Sequence, residues 1–391
     1  MTIKRAYLTS AAYVVMIMTG IGATTFGAAL PEIRETLRLT ISQTGTLLVA
    51  KTVGYILGSL FSSFVIERVG KKVIGCAGAV MYGTSLLLFG VFPGLWINFA
   101  LYLLLGIGSG YTQLVANSLI IELYDEKRSN MMSILHFFFT LGSVGGPVFV
   151  GLLYRRGLSW RWAFVTYSAI ALTLFFMFLA SRFPATGDGE GRGTKTSSFR
   201  LLRSPVVLIL ILLMGSYVTV QLGVGNWLTS YLEEYISLPL VFSSNIVAVY
   251  WAGMALGRLL CFRISHRVGH RRILLIMSVG AFLFILLSLL ASSPAALLVL
   301  AGLLGLSLSG FYPIVMAMGG SLYRARAGAV AGIIAGGASL SASLLQWTMA
   351  QISDASTIRV GMVFYAAVAA MSIVTTLAAM RLVRRAGYVD V

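Results

Sequence analysis

Charged residues are scarce in this sequence. Asp, Glu, Lys and Arg make up 10% of its 391 residues, whereas about 25% is usual for a soluble globular domain. Acidic residues are the rarest of these, with 12 against 29 basic ones, and 58% of the chain is hydrophobic. A soluble globular domain is therefore excluded, and the composition indicates a protein that crosses a membrane several times.

Cysteine and histidine are also rare. The two cysteines, Cys76 and Cys261, fall in apolar stretches, so a disulfide framework has no support. The sequence contains no Cys/His cluster with metal-ligand spacing and no nucleotide-binding P-loop. We therefore expect no metal, no cofactor and no ATP-driven pump. A membrane-embedded enzyme is also disfavoured, because no nucleophile or acid–base constellation is apparent.

Twelve apolar windows have the length of about 20 residues that crosses the hydrocarbon layer. The first is too long for the core of a signal peptide and has no clear cleavage site. The predicted fold class is an all-α membrane protein with twelve transmembrane helices. The windows lie near 7–30, 43–66, 73–92, 96–121, 130–154, 162–181, 204–231, 241–265, 273–291, 297–322, 328–352 and 360–380.

Basic residues concentrate in alternate loops. With the N-terminus inside, 22 Lys and Arg fall on the cytoplasmic side and six outside, and Lys51 is left within a span. The positive-inside rule then predicts that both termini are cytoplasmic, in what we expect to be a bacterial inner membrane. The basic excess therefore predicts a topology in the lipid bilayer and no nucleic-acid partner.

The chain also divides into two similar halves. The segment "FPATGDGEGRGTKTSSFR" is the only long polar stretch and predicts a flexible cytoplasmic linker. "GSLFSSFVIERVGKK", from Gly58, matches "GRLLCFRISHRVGHR", from Gly257, with an offset of 199 residues that also relates Gly106 to Gly305. Parallel repeats of this kind place a substrate site at their interface near the bilayer midplane. The predicted domains are a six-helix bundle at 1–182, the linker at 183–203 and a second six-helix bundle at 204–391.

Amide side chains occupy positions where little water is expected. Gln113 and Asn117 are four residues apart and share one helix face. Gln113 and Gln221 each lie 17 residues into their predicted helices, near mid-membrane depth. Amides at that depth need hydrogen-bond partners, which either a hydroxyl-rich solute or a neighbouring helix supplies. Together with Asn226, these residues are the predicted substrate ligands. The glycines that precede them, Gly106, Gly108 and Gly110, are predicted to let a neighbouring backbone approach closely.

Aromatic and helix-breaking residues extend this predicted cavity. Four aromatic residues could stack on a sugar-like ring, with packing or interface anchoring as the alternative, and Gln346 is a weaker candidate. The glycines of "GVGNW" (223–227) are predicted to interrupt the seventh helix, and Pro313 is predicted to kink the tenth. The aromatic candidates are Trp227, Tyr250, Trp251 and Trp347.

Lys51 does not fit a site for a neutral sugar. It lies about 12 Å below the outer end of its predicted helix, where an unpartnered cation costs on the order of 3 kcal/mol or more. Its ammonium could bind an anionic substrate, or it could pair with carbonyl groups and extend outward. An organic anion such as a sugar acid is therefore the alternative substrate class.

The loop "ERVGKK" (67–72) resembles the signature of the major facilitator superfamily, and "HRVGHRR" (266–272) resembles its degenerate copy. The loop has Glu67 where the family usually has Asp, and Ser63 where a Gly usually precedes it. The resemblance covers the whole chain and implies alternating-access transport. It also implies that Glu67 and the loop's basic residues, Arg68, Lys71 and Lys72, latch the halves together on the cytoplasmic side.

Two helices are similar to those of the fucose, glucose and galactose transporter group, through "GIGSGYTQLVAN" and "YVTVQLGVGNWLTSYL". Members of that group commonly have carboxylates where this chain has Gln113 and Gln221. An amide cannot take up and release a proton. The resemblance therefore implies a facilitator, or coupling through another group. His136 is the only residue inside a span that titrates near neutrality, with a packing role as the alternative.

Another helix contains "GSVGGPVFVG", which resembles part of a drug and proton antiporter signature, although Ser133 stands where its earlier glycine belongs. We expect Gly142, Gly146 and Pro147 to be mainly packing residues, with drug or lipid export as an alternative function. The preferred prediction is a symporter or uniporter for a small polar, sugar-like organic solute. It is expected to act as a monomer and not as an enzyme.

Overall fold

The computed structural model describes residues 2–124, 128–181, 183, 201, 203–323 and 327–386. Throughout these ranges the regular structure is helical and no strand occurs, which confirms the all-α membrane fold. The helices are α1 (Thr2–Ala28), α2 (Leu30–Leu37), α3 (Ile41–Leu88), α4 (Leu95–Leu123), α5 (Arg128–Arg155), α6 (Arg161–Ala180), α7 (Pro205–Ser230), α8 (Leu240–Val268), α9 (His270–Leu290), α10 (Pro294–Ser307), α11 (Phe311–Leu322), α12 (Ala327–Ala355) and α13 (Ile358–Arg385).

Eleven helical stretches in the described part of the chain are long and apolar enough to cross a membrane. The window predicted at 73–92 lies in the second part of α3, which runs from Ile41 to Leu88. Within α3, Gly70 has φ 82° and ψ 156°, so two helical segments meet at this residue. Such a positive φ strongly favours glycine. The segment after Gly70 occupies the place of the twelfth predicted helix.

The connection between the first two spans contains a short helix that the span analysis does not predict. Pro31 lies in the first turn of α2, where a missing N–H costs no helical hydrogen bond. Leu30, Ile33 and Leu37 are buried, so α2 is held by one apolar face. The helix ends at Arg38, which adopts the left-handed conformation with φ 53°.

The tenth predicted helix is divided into α10 and α11. Residues 308–310 interrupt it, immediately before the first turn of α11. Pro313 lies in that first turn, where it cannot donate to the carbonyl of residue 309. The interruption thus lies where Pro313 predicts a kink.

The chain forms two compact units. The N-terminal unit comprises Met1–Gly189 and Pro239–Ala248, and the C-terminal unit comprises Glu190–Leu238 and Val249–Val391. The first residues of α8 therefore group with the N-terminal unit. The predicted linker at 183–203 lies almost entirely outside the described residues, so the predicted domain boundaries stay a prediction.

Close glycine contacts join α3 to α4 in the N-terminal unit. A Cβ added at Gly106 would collide with the Lys51 carbonyl oxygen, and one at Gly108 would lie 2.7 Å from the carbonyl oxygen of Gly78. Gly110 packs in the same way, 2.7 Å from the Tyr55 carbonyl oxygen. The predicted packing role of the three glycines is confirmed.

The C-terminal unit repeats this contact between α8 and α10. A Cβ added at Gly305 would collide with the Tyr250 carbonyl oxygen. Gly305 is 199 residues after Gly106, and Tyr250 is 199 residues after Lys51. The repeat read from the sequence is therefore also a repeat of helix packing.

Two loop glycines are also related by the offset of 199 residues. Gly269, 199 residues after Gly70, precedes α9 with φ 83° and ψ 143°. Both units thus turn between their second and third spans on a glycine of nearly the same conformation.

The glycines of the antiporter-like motif pack α5 onto α1. A Cβ added at Gly142 would collide with the Ile17 carbonyl oxygen, and one at Gly146 would lie 2.6 Å from the Thr24 hydroxyl. The predicted packing role of these two glycines is confirmed.

Alanine substitutions at the paired glycines test this packing. We expect Gly106→Ala and Gly305→Ala each to lower the free energy of unfolding by about 1–3 kcal/mol, because a methyl group forces the backbones apart. Gly336→Ala in α12 is the control, since a Cβ there meets nothing within 4 Å. Thermal unfolding of purified protein measures all three. Equal stability of Gly106→Ala and Gly336→Ala would contradict the packing argument.

Candidate functional site

Buried polar and aromatic side chains gather on α7, α8, α12 and α13 of the C-terminal unit. Gln221 and Asn226 of α7 and Gln346 of α12 are all at most 7% exposed. Trp227, Tyr250, Trp251 and Tyr365 are at most 1% exposed. We call these seven residues the C-terminal polar cluster.

Gln221 contacts α8 through both its backbone and its side chain. The Tyr250 hydroxyl donates to the Gln221 carbonyl oxygen at 2.9 Å. The Gln221 side-chain nitrogen points to the sulfur of Met254 at 3.0 Å. Because a thioether is a weak acceptor, this amide keeps most of its capacity to donate hydrogen bonds.

Asn226 and Gln346 form an amide pair between α7 and α12. The Asn226 side-chain nitrogen donates to Gln346 Oε1 at 2.8 Å. Gln346 in turn donates to the Ala342 carbonyl oxygen at 3.2 Å. At least some of the hydrogen-bonding groups of Asn226 and Gln346 are therefore taken up by contact between helices.

The predicted interruption of the seventh helix at 223–227 is wrong. α7 is continuous from Pro205 to Ser230 and passes into a π-helical turn at Tyr231–Tyr235. Its glycines instead make room for aromatic rings. A Cβ added at Gly223 would collide with the Tyr365 ring, and one at Gly225 would lie 2.8 Å from the Trp251 ring. Without a side chain at either position, α13 and α8 can press their rings against α7.

Several donors of the cluster lack acceptors. Trp227 Nε1, Trp251 Nε1 and the Tyr365 hydroxyl are buried and have no hydrogen-bond partner among the described protein atoms. A buried polar group without a partner costs about 1–3 kcal/mol. Bound water or a ligand with acceptor oxygens would remove this cost.

In the N-terminal unit, Gln113 joins α4 to α3. The Tyr55 hydroxyl donates to Gln113 Oε1 at 3.3 Å, and Gln113 Nε2 reaches the Ser109 hydroxyl at the same distance. These are long hydrogen bonds. Asn117, one turn further along α4, has a buried Oδ1 with no partner in the described part of the chain.

Lys51 lies on α3 and contacts α1. Its Nζ donates to the Gly22 carbonyl oxygen at 2.6 Å, and the side chain is partly exposed. Pairing with a carbonyl is one of the two roles that the sequence left open.

The loop after the second span contains a buried cation. Lys71 is 6% exposed and forms an ion pair with Glu122 at the end of α4. Arg68 is exposed and Lys72 is partly buried. The side chain of Glu67 lies outside the described residues, so its predicted role in the loop stays a prediction.

Two further predicted site residues, Trp347 and His136, have exposed side chains. Trp347 follows Gln346 but is 39% exposed. His136 lies within the candidate span Ile134–Arg155 of α5 and has an exposed side chain. Neither residue shares the burial of the C-terminal polar cluster.

Arg258 is a residue that the sequence analysis missed. The charge count left Lys51 as the one cation within a span, but Arg258 also lies in one, Leu240–Cys261. That part of the prediction is wrong, because Arg258 was assigned to the basic loop that follows. The guanidinium lies 3.8 Å from the Met254 sulfur and interacts electrostatically with Tyr217. An arginine eleven residues before Gly269, the glycine of the degenerate loop copy, was the signal that could have identified it.

Comparison with known proteins identifies a family for this chain. Residues 12–261 match the sequence model described as Major Facilitator Superfamily. A Protein TsgA homolog from Buchnera aphidicola subsp. Acyrthosiphon pisum (strain Tuc7) is 23% identical over 65% of this chain and 65% of its own length. Another from Yersinia pestis (strain Pestoides F) is 21% identical over 81% and 80%. The chain thus spans about 65% of the length of the Buchnera relatives.

Solved structures with the same fold cover nearly the whole chain. The nucleoside transporter NupG has a TM-score of 0.78 at 14% identity, with 97% of this chain and 98% of that chain covered. A bacterial homolog to the human lysosomal transporter Spinster gives 0.82 at 15%, with 98% of each covered. A D-xylose-proton symporter gives 0.74 at 16%, with 96% of each covered. At these identities the likeness establishes the fold alone.

The Lys71–Glu122 pair predicts a stability effect. Glu122→Gln should lower the free energy of unfolding by about 1–3 kcal/mol, because the buried Lys71 ammonium loses its carboxylate. The lower part of that range is expected, since Glu122 is 37% exposed. Adding Lys71→Met should restore stability, because no buried charge then remains. Thermal unfolding of the wild type, the single variants Glu122→Gln and Lys71→Met, and the double variant measures this cycle. A double variant less stable than Glu122→Gln would contradict the account.

Proposed function

Because this chain belongs to the major facilitator superfamily, we propose that it is a secondary transporter for a small polar organic solute. The solute is hydroxyl-rich, as sugars are, and moves by alternating access. No chemical conversion of the solute is involved. The observation that carries the proposal is the C-terminal polar cluster, which combines amides, aromatic rings and donors without acceptors at membrane depth.

The donors favour a ligand with acceptor oxygens. Trp227 and Trp251 each present an indole N–H without an acceptor among the described protein atoms. The Gln221 amide faces only the weak acceptor Met254 among the bonds recorded for its side chain. Sugar hydroxyls both donate and accept, so they complement amides and indoles alike.

Aromatic packing favours the same class. Tyr250 and Trp251 meet edge to face, with ring centroids 5.4 Å apart. Aromatic rings beside a few polar groups are typical of small-molecule sites. The neighbours named as a nucleoside transporter and a D-xylose symporter handle hydroxylated solutes, which agrees with the proposal.

Coupling of solute transport to proton movement is proposed to be weak, or to use a group other than a carboxylate. Gln113 and Gln221 cannot exchange protons, so an imposed pH gradient should have little effect on transport. Any residual dependence of transport on the pH gradient is assigned to His136. Transport by His136→Ala in proteoliposomes under an imposed pH gradient tests this assignment directly. Strong proton-driven accumulation in that variant would contradict this assignment.

Several finer points stay predictions. Glu67, Arg68, Lys71, Lys72 and Pro313 are proposed to act in the conformational cycle. The protein is proposed to act as a monomer in a bacterial inner membrane with both termini cytoplasmic. Drug or lipid export stays the alternative function.

Alanine variants of the two mid-membrane glutamines test the proposed site. Gln113→Ala and Gln221→Ala should each weaken solute binding by roughly 5- to 150-fold, as expected for one lost hydrogen-bond partner. Gln351→Ala, near the end of α12, is the matched control and should bind as the wild type does. Direct binding of sugars and sugar acids to purified protein, by calorimetry, measures all four proteins. Wild-type affinity in both test variants would show that these amides only hold helices together.

A further inference from the structure

Lys51 occupies an unusual place for a cation. It lies in the candidate span Ile41–Ser63, ten residues after the first residue of α3. At 1.5 Å per residue this is about 15 Å along the helix, roughly half of a hydrocarbon layer of about 30 Å. The side chain is partly exposed.

Lys51 has a neutral hydrogen-bond partner and no carboxylate partner among the described residues. An ammonium has three N–H donors, and the acceptor recorded for Lys51 is the neutral carbonyl of Gly22, at 2.6 Å. In the part of the chain that the structure describes, no carboxylate lies within 4.0 Å of Lys51. Glu122 of α4 is already paired with Lys71.

The internal repeat provides a natural comparison. Tyr250 is 199 residues after Lys51, and Gln221 is 199 residues after Gly22. The Tyr250 hydroxyl donates to the Gln221 carbonyl oxygen at 2.9 Å. The bond from Lys51 to Gly22 is therefore the counterpart of this bond in the other unit.

This equivalence separates two roles of Lys51. A neutral phenol is sufficient to tie the second span of a unit to its first, as Tyr250 does. A positive charge strengthens that hydrogen bond but carries a desolvation cost at membrane depth. The desolvation cost of the Lys51 charge is offset if the solute carries a negative group that binds the ammonium.

We propose that Lys51 binds the carboxylate or other oxyanion of the transported solute while its remaining hydrogen bond holds Gly22. The substrate class is then a hydroxylated organic anion, such as a sugar acid. This inference rests on the proposed transport function and specifies its substrate.

The test replaces Lys51 with the residue that its own repeat uses. Lys51→Tyr can keep the bond to Gly22 without the charge, and Lys51→Met removes both. The probes are three pairs of an anion and a neutral analogue: glucuronate with glucose, gluconate with sorbitol, and succinate with succinamide. Thermal shift of the purified full-length protein, followed by calorimetry for any stabilising probe, reports binding by mass action.

We expect at least one anion to stabilise the wild type more than its neutral analogue. Its affinity should fall by roughly 30-fold or more in Lys51→Tyr and in Lys51→Met, as for the loss of a charged partner. Arg381→Met, which removes an exposed cation of α13, is the control and should bind as the wild type does. If Lys51→Tyr fails to fold, the comparison of Lys51→Met with the control still decides the question.

The proposal is overturned if no anionic probe stabilises the wild type more than it stabilises the Lys51 variants. Equal binding of glucose and glucuronate, unchanged in Lys51→Tyr, would overturn it while leaving transport of neutral solutes intact. Glucuronate binding that requires Lys51 would support the anion site even if proteoliposomes showed no flux. In that case the proposed transport function, and not the anion site, would be wrong.

Discussion

Close backbone approach at a glycine is the contact on which each unit depends. Gly106 of α4 leaves room for the carbonyl of Lys51, and Gly305 of α10 leaves room for the carbonyl of Tyr250. Lys51 and Tyr250 then each donate a hydrogen bond to the first helix of their own unit. The acceptors are the carbonyl oxygens of Gly22 and Gln221, respectively. Three helices are thereby fixed through one residue. Since hydrocarbon offers no hydrogen bonds, this chain of contacts also determines where polar groups can be placed.

The two units use the same contacts with different chemistry. The N-terminal unit carries a cation at the shared position, and the C-terminal unit carries a phenol. The amides differ too, because Gln113 makes long hydrogen bonds to hydroxyl groups whereas Asn226 is tightly paired with Gln346. Such asymmetry is expected if the scaffold is repeated but the solute is not symmetric.

Much of the fold was predictable from sequence, because a helix in hydrocarbon needs a long apolar run and because the repeat offset carries over to packing. The interruption before Pro313 followed from backbone chemistry, and the break at Gly70 lies within the loop signature at 67–72. The continuous course of α7 did not, since Gly223 and Gly225 serve ring packing from α13 and α8, which are distant in sequence. The pairing of Asn226 with Gln346 and the placement of Arg258 within a span likewise depend on tertiary neighbours. Local patterns could nominate polar residues but could not separate ligands from helix contacts.

Uptake of labelled glucose and glucuronate into proteoliposomes tests the central claim, which is solute transport without carboxylate coupling. The account predicts saturable uptake of at least one of these solutes, inhibited by its unlabelled form. An imposed pH gradient should change this uptake only weakly. Empty liposomes and liposomes with heat-denatured protein should show no such flux. Absence of saturable uptake, or accumulation driven strongly by the pH gradient, would contradict the account.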